Sequence, residues 1–466
     1  MIYFINIPSI TGANISRFSR CVVKAKADYL YPPIEMATAA AYVMKNGFES
    51  SLIDGNLEKD VKSIFAKIKD PEFFVVNAGV FSFGNDTKFM QLLKNEFPSA
   101  KVIAYGQAPT SIPEEVIGFC DYVVIGEPEK TLVDILSGRP EKAVGFMKGG
   151  KIHIDRRDNS VENVDEIPLP ARQLLNNGAY RHAFLKPFTQ ITTARGCPFR
   201  CIFCTSREYF RSYRPRSIGN IMAEIEEVYN RYGIRNFGFA DDTFAMNEKR
   251  VVQLCEGIME RGMKVRWFAT ARVDTITPRM LDYMKRAGCE VLMFGIEASS
   301  QEIIDKLKKG VSVGQIERAV RMTRKSGIKA HGYFVLGSPF DTPETVKKSV
   351  KFAKRLKLDY ASFNVFVPYP GTEAFAQLEK EGKIKTRDWE KYDQTTGELV
   401  YFNDSIDDQT MKSLIKNSYR TFYLSPGFVL RRFRCNLSRP SNFARDFSHA
   451  ARIVRNMASM KKKVGP

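Results

Sequence analysis

The chain of 466 residues holds two tryptophans and four histidines, and no histidine precedes His153. Whatever the first third of the chain binds, it binds without an imidazole from its own residues. No apolar run approaches the roughly 18 to 20 residues that a bilayer requires, so no membrane span is expected. The eight cysteines are scattered along the chain instead of forming a disulfide framework, and residues 1–20 lack the positive-then-apolar layout of a secretory leader. A reducing cytoplasm is the expected compartment. A P-loop, a G-x-G-x-x-G fingerprint and a serine-histidine pairing are also missing, which removes the common nucleotide and hydrolase signatures.

What is present is alternation. With 44% hydrophobic residues the chain is too long for one core, and two or three domains are expected. Over residues 1–145, five short β-branched or aromatic runs (IYFINIP, SSLIDGN, FFVVNAGVFSF, KVIAYG, DYVVIG) alternate with amphipathic stretches. That order predicts a parallel, doubly wound, Rossmann-like α/β domain. Charged and turn-rich residues 146–185 read as a linker. Over residues 186–385, six more strand-like runs each precede a helical stretch, which predicts a partial (β/α)6 barrel of the TIM type. Residues 386–466 form a basic, mainly helical C-terminal region. Active groups of a barrel belong at the C-terminal ends of its strands.

Three cysteines stand at such an end. In ARGCPFRCIFCTS, Cys197, Cys201 and Cys204 follow the first barrel strand. A structural zinc site wants four N or S ligands, and the nearest histidine, His182, lies on the far side of that strand. Gly196 and Pro198 keep the segment a loop, where thiols are exposed and reactive. Thiolates favour iron-sulfur clusters among soft-metal partners, and three ligands leave one iron of a four-iron cluster open for a cofactor.

The spacing C-x3-C-x2-C, with Phe203 before the last cysteine, resembles the signature of radical S-adenosylmethionine (SAM) enzymes. The resemblance implies a 4Fe-4S cluster on Cys197, Cys201 and Cys204, with SAM chelating the open iron and cleaved to a 5′-deoxyadenosyl radical. It also implies that Phe203 packs beside the adenine, and that Asp241 or Asp242 in FADDTF meets the methionine ammonium. Arg272 in TARVD would then pair with the methionine carboxylate and Glu297 in FGIEASS with the ribose, while Gly337 in YFVLGSP admits close backbone approach. Bland readings stand beside each: a helix cap for the aspartates, an ion pair for Arg272, a turn for Gly337. Ser299 with Glu302 reads as a capping box.

The first domain, its VIGEPEKTL segment and the IPLPAR linker resemble the cobalamin-binding class of these enzymes, so that the likeness spans about 385 residues in all. The D-x-H-x-x-G motif is absent, so cobalamin would bind without a histidine lower ligand from this domain. Gly126 and Glu127 are candidates for the cofactor edge. The implied activity is methyl transfer to an unactivated carbon, with reduced ferredoxin or flavodoxin as electron donor. Oxidative cyclisation of a tetrapyrrole is the alternative, and a cluster- or cobalamin-carrying module without turnover is the alternative of another class. Methylthiolating enzymes need three further cysteines in the first domain, which has only Cys21 and Cys120. Cys255 and Cys289 are expected to pack as small apolar residues.

From Arg420 onward the chain carries 11 Arg or Lys against Asp446 alone, a net of +10 within the whole chain's +19. FYLSPGFVLRRF and FSHAARIVRNM mix apolar residues with arginine, which predicts peripheral contact with anionic lipid or a solvated basic helix pair. Nucleic acid is not the expected partner, because no recognition motif accompanies the charge. A small molecule or a lipid is the expected substrate.

Overall fold

The computed structural model describes residues 1–10, 15–18, 21–24, 29–183 and 185–437. The FSHAARIVRNM part of the basic tail lies outside them.

The first sheet contains β1 (Ile2–Asn6), β2 (Ser50–Asp54), β3 (Phe73–Asn77), β4 (Lys101–Tyr105), β5 (Tyr122–Val124), β6 (Val144–Lys148) and β7 (Lys151–Asp155) in the order β7-β6-β5-β4-β3-β1-β2. The five strands expected from the apolar runs are present and parallel. Successive residues of β1 serve opposite faces: Tyr3 and Ile5 join one apolar cluster, Ile2 and Phe4 another. Covering both faces is what a parallel sheet requires. On one face lies α1 (Ile34–Lys45) and on the other α2 (Phe83–Glu96).

The domain boundary expected at residue 145 needs correction. β6 and β7 form an antiparallel hairpin that extends this sheet to Asp155. Its turn is Gly149-Gly150, both at positive φ (57° and 75°), as a two-residue hairpin demands. The linker therefore starts after Asp155.

The second sheet is wholly parallel and in chain order: β8 (Thr189–Ile191), β9 (Asn236–Phe239), β10 (Arg266–Ala271), β11 (Cys289–Glu297), β12 (Lys329–Leu336) and β13 (Tyr360–Val365). On β10, β12 and β13, buried residues facing the outer helices alternate with half-buried ones facing the lumen. On β12 the first set is Ala330, Gly332, Phe334 and Leu336, and the second His331, Tyr333 and Val335. Six strands leave an open edge at β13. Two tyrosines of α3 (Asp408–Tyr423) cover it: Tyr419 Oη bonds the N–H and C=O of Phe363 (both 3.1 Å), and Tyr423 Oη those of Ala361 (3.1 and 2.8 Å). Side-chain hydroxyls thus replace the missing strand.

Two features escaped the sequence. After β13 the chain turns back, and Val367, Tyr369, Phe375, Trp389, Tyr392 and Val400 join the apolar core of the first domain. Trp389 Nε1 donates to Glu115 at 2.5 Å. The second is the setting of His182: its Nδ1 lies 2.6 Å from Tyr31 Oη, and its ring packs on Tyr29 and Phe268 at 4.6 and 4.5 Å. These rings close the N-terminal end of the lumen, where His331 also bonds Ser362 (2.9 Å) and stacks on Tyr333.

Candidate active site

The cysteine loop is fixed by backbone pairing on both sides. Ile202 N donates to Leu307 O (3.2 Å), and Ile202 O accepts from Ala374 N (3.0 Å). Gly196 sits at φ 75°, and a Cβ there would strike the Ser212 carbonyl, so both space and conformation require glycine. Cys197, Cys201 and Cys204 remain partly exposed, whereas Cys120, Cys255 and Cys289 are buried, the last two within the barrel core as expected. Among the described residues no three His, Cys, Asp or Glu side chains gather closely enough for a single metal ion.

Two cations lie beside the loop. Arg272 stacks over the Phe199 ring, its Cζ 3.4 Å from the centroid. Lys309 Nζ lies 2.8 Å from Glu297 Oε1, and both side chains are nearly buried. Burial pushes the thiols of Cys197 and Cys201 up, while Lys309 and Arg272 pull Cys201 back and Arg272 does so for Cys197. Positive charge next to cysteines favours thiolate and suits a donor set of three sulfurs to an iron-sulfur cluster. Lys309 was missed by sequence reasoning, because a lysine in KLKKG reads as a solvated helix end. Glu297 itself has φ 65° at a register irregularity between β11 and β12, a strained conformation for a side chain of this size. Gly295 makes room for the pair, since a Cβ there would strike Glu297 and Lys309.

The remaining candidates divide. Asp241 is buried and accepts from Thr193 N (2.6 Å) and Ala194 N (3.3 Å), so it ties β9's end to the start of the cysteine loop; burial raises its carboxyl to about 6. Asp242 bonds Ser206 and acts electrostatically on Cys197. Neither caps the next helix, whose cap is Asn247. Arg272 is held bidentately by Asp274 (2.9 and 3.0 Å) and donates to Lys309 O, so the ion-pair reading is the one realised. Phe203 packs edge-on to Phe366 against the barrel core. Gly337 has φ 75°, and the space its side chain would need is filled by Met411, which accounts for the glycine through helix packing. The capping box at Ser299 is not formed: the N-cap is Ser300, without a side-chain bond, and Ser299 pairs with Ser349.

Glu127 also takes another place. Its carboxylate is held by Arg195 (2.5 Å) and by Arg214, and Arg195 additionally grips Glu129 (2.5 Å). Gly126, at φ 78°, donates to Thr110 Oγ1 and faces the Tyr209 carbonyl of the barrel. Both take part in the junction between the domains. Arg172 of the IPLPAR linker, wholly buried, adds a second clasp: it bonds Thr189, the Gln190 carbonyl and Glu224 (2.5 Å), which also pairs with Arg216.

Unpartnered polar groups of the first domain stand where its strand order reverses, between β1 and β3. Asn6 Oδ1, Asn77 Oδ1 and Gln107 Nε2, at or just past the C-terminal ends of β1, β3 and β4, are buried with no protein partner. Gly106, at φ 115°, packs directly on the Ala78 carbonyl. Orphaned polar atoms at a topological switch point fit a large polar cofactor such as cobalamin.

The pairing of a cysteine-bearing open barrel with such a domain defines a class of radical enzyme, and comparison with known proteins agrees. The radical SAM superfamily profile matches residues 191–353 and the B12 binding domain profile residues 20–136. The uncharacterized methyltransferase PH0819 of Pyrococcus horikoshii is 33% identical over 415 residues, covering 86% of this chain and 89% of that protein. The anaerobic magnesium-protoporphyrin IX monomethyl ester cyclase of Rubrivivax gelatinosus is 24% identical over 421 residues, covering 86% and 75%. The fold matches the radical SAM methyltransferase TsrM of Kitasatospora setae, solved with cobalamin and a [4Fe-4S] cluster, with a TM-score of 0.66 at 17% identity over 83% of this chain and 79% of that one. The chain therefore belongs to the radical SAM enzymes with a cobalamin-binding domain, in the branch that contains methyltransferases.

Proposed function

We propose that this chain methylates an unactivated carbon of a small-molecule or lipid substrate. Cys197, Cys201 and Cys204 would hold the cluster, with Arg272 and Lys309 offsetting its negative charge. Asp242, Glu297 and Phe203 lie on the same loop or act on its cysteines, and would hold SAM. Asn6, Asn77 and Gln107 would hold cobalamin, without a histidine beneath it. When bound, the cluster with SAM supplies a carbon-centred radical and cobalamin a transferable methyl group, so the protein's work is to bind, orient and exclude water. A ferredoxin or flavodoxin is the electron donor in this reading.

The observation that carries it is the junction itself. Arg195, two residues before Cys197, is clamped by carboxylates that follow β5 of the first domain, so that domain and the cysteine loop are held in one geometry. Transfer between two bound groups depends on such fixed proximity.

The test is anaerobic purification with cobalamin supplied, followed by iron, sulfide and cobalt analysis. About four irons and one cobalt per chain are expected. Cys201→Ala should lose the iron and all SAM cleavage; a variant that retains either sinks the cluster assignment. Iron without cobalt would end the methyl-transfer reading. The likeness to the magnesium-protoporphyrin cyclase supports a second reading, oxidative cyclisation. It is distinguished by incubating with SAM labelled in its methyl group: label must enter the product in the first case and not in the second.

A further inference from the structure

Among the described residues no helix is long and apolar enough to cross a membrane. The end of the described chain nevertheless presents apolar side chains to solvent. Leu424, which follows α3, and Val429 and Leu430 of α4 (Pro426–Leu437) are 58%, 53% and 51% exposed. α4 is seated against the base of the barrel by its arginines: Arg431 donates to the Leu358 carbonyl (3.0 Å) and Arg432 to Tyr360 Oη (3.2 Å). With that side committed, Val429 and Leu430 point away from the protein.

The sequence that surrounds and follows them carries charge of one sign. After Asp408 the sequence holds 13 Arg or Lys and a single acid, Asp446. A polyanion would satisfy that charge, but a nucleic acid gains nothing from exposed leucine and valine. A bilayer with anionic headgroups meets both needs, accepting the cations at its surface and the apolar side chains just below.

We infer that this chain docks peripherally on an anionic lipid surface through Leu424, Val429 and Leu430, with its basic C-terminal region as the electrostatic partner. The inference is independent of the chemistry proposed above. It implies that the barrel's base, opposite the cysteine loop, faces the lipid.

Vesicle sedimentation of the full chain tests it, with phosphatidylcholine alone and phosphatidylcholine mixed with phosphatidylglycerol. Binding is expected only to the mixed vesicles, weakened by salt and reduced about tenfold or more in the variant Leu424→Ser, Val429→Ser, Leu430→Ser. Absence of binding to mixed vesicles overturns the inference. So does binding that the three serines leave unchanged, which would describe a mere polyanion binder. A wild-type dimer that the serines convert to monomer, with no vesicle binding, would assign the patch to a second copy of the chain and overturn it too. Should the serine variant prove less stable, a second variant decides: Lys461→Gln, Lys462→Gln, Lys463→Gln must weaken vesicle binding, and unchanged binding refutes the electrostatic part.

Discussion

Lys309 and Glu297 form a nearly buried ion pair of 2.8 Å directly beside the cysteine loop. Removing one member leaves an uncompensated charge in a region with little water. Lys309→Met is therefore expected to cost about 3 to 5 kcal/mol in urea unfolding, and Lys309→Met with Glu297→Gln to recover much of it. Burial pulls the lysine's pKa down, but Glu297 and Cys201 outweigh it and raise it overall, so the pair's contribution is fully present below the ordinary lysine value and is lost only as pH rises through the raised one. Equal losses for the single and double variants would refute the coupling.

Asp241 gives a pH dependence of the opposite kind. Its folded carboxyl titrates near 6 against an ordinary value of 3.8, because burial outweighs its hydrogen bonds. The folded state thus binds more protons between those values, and its stability falls as pH rises from about 4 to 6, by on the order of 2 to 3 kcal/mol. Asp241→Asn should flatten that segment of the stability profile without loss at neutral pH. A steeper slope in the variant would show that the assignment is wrong.

The first domain's histidine, His153, lies on the edge strand β7, three strands from β4, so cobalamin held at β1, β3 and β4 has a spectroscopic consequence. The cob(II)alamin form should show an electron paramagnetic resonance spectrum free of nitrogen splitting from a protein imidazole. Gln107→Ala should lower the cobalt retained after gel filtration, since it removes a buried donor that no protein group satisfies. Nitrogen splitting from a histidine would place His153 or a later one under the cobalt and contradict the site at β1, β3 and β4.

Arg195 carries the junction. Arg195→Ala leaves Glu129 unpaired and Glu127 with Arg214 alone. About 3 to 5 kcal/mol should be lost. If the junction holds the domains together, protease cleavage between residues 156 and 188 should accelerate in the variant. Unchanged stability and cleavage would mean that the Arg172 clasp suffices.

Much of this was legible in the sequence, for physical reasons. Strand positions follow from apolar runs whose periods and lengths local chemistry dictates, and three cysteines on a loop need no long-range information. The β6–β7 hairpin was legible too: VGFMK and KIHID flank Gly149-Gly150, but the charged residues that follow drew the reading toward a linker. The partners of Glu127, Arg272 and Lys309 were not legible. A charged residue reads the same in sequence whether it meets a cofactor, a neighbour two positions away or a domain folded later, and only the tertiary arrangement decides. Gly337 misled similarly, its freedom serving Met411 of a helix far along the chain.

The return of residues 367–400 to the first domain bears on how the protein is made. That domain begins the chain, yet its apolar core includes Trp389, Tyr392 and Val400. A ribosome that has synthesised only residues 1–160 has produced a sheet with part of one face uncovered. The core closes only after the whole barrel has emerged, so the first domain's packing is completed by residues synthesised after the barrel.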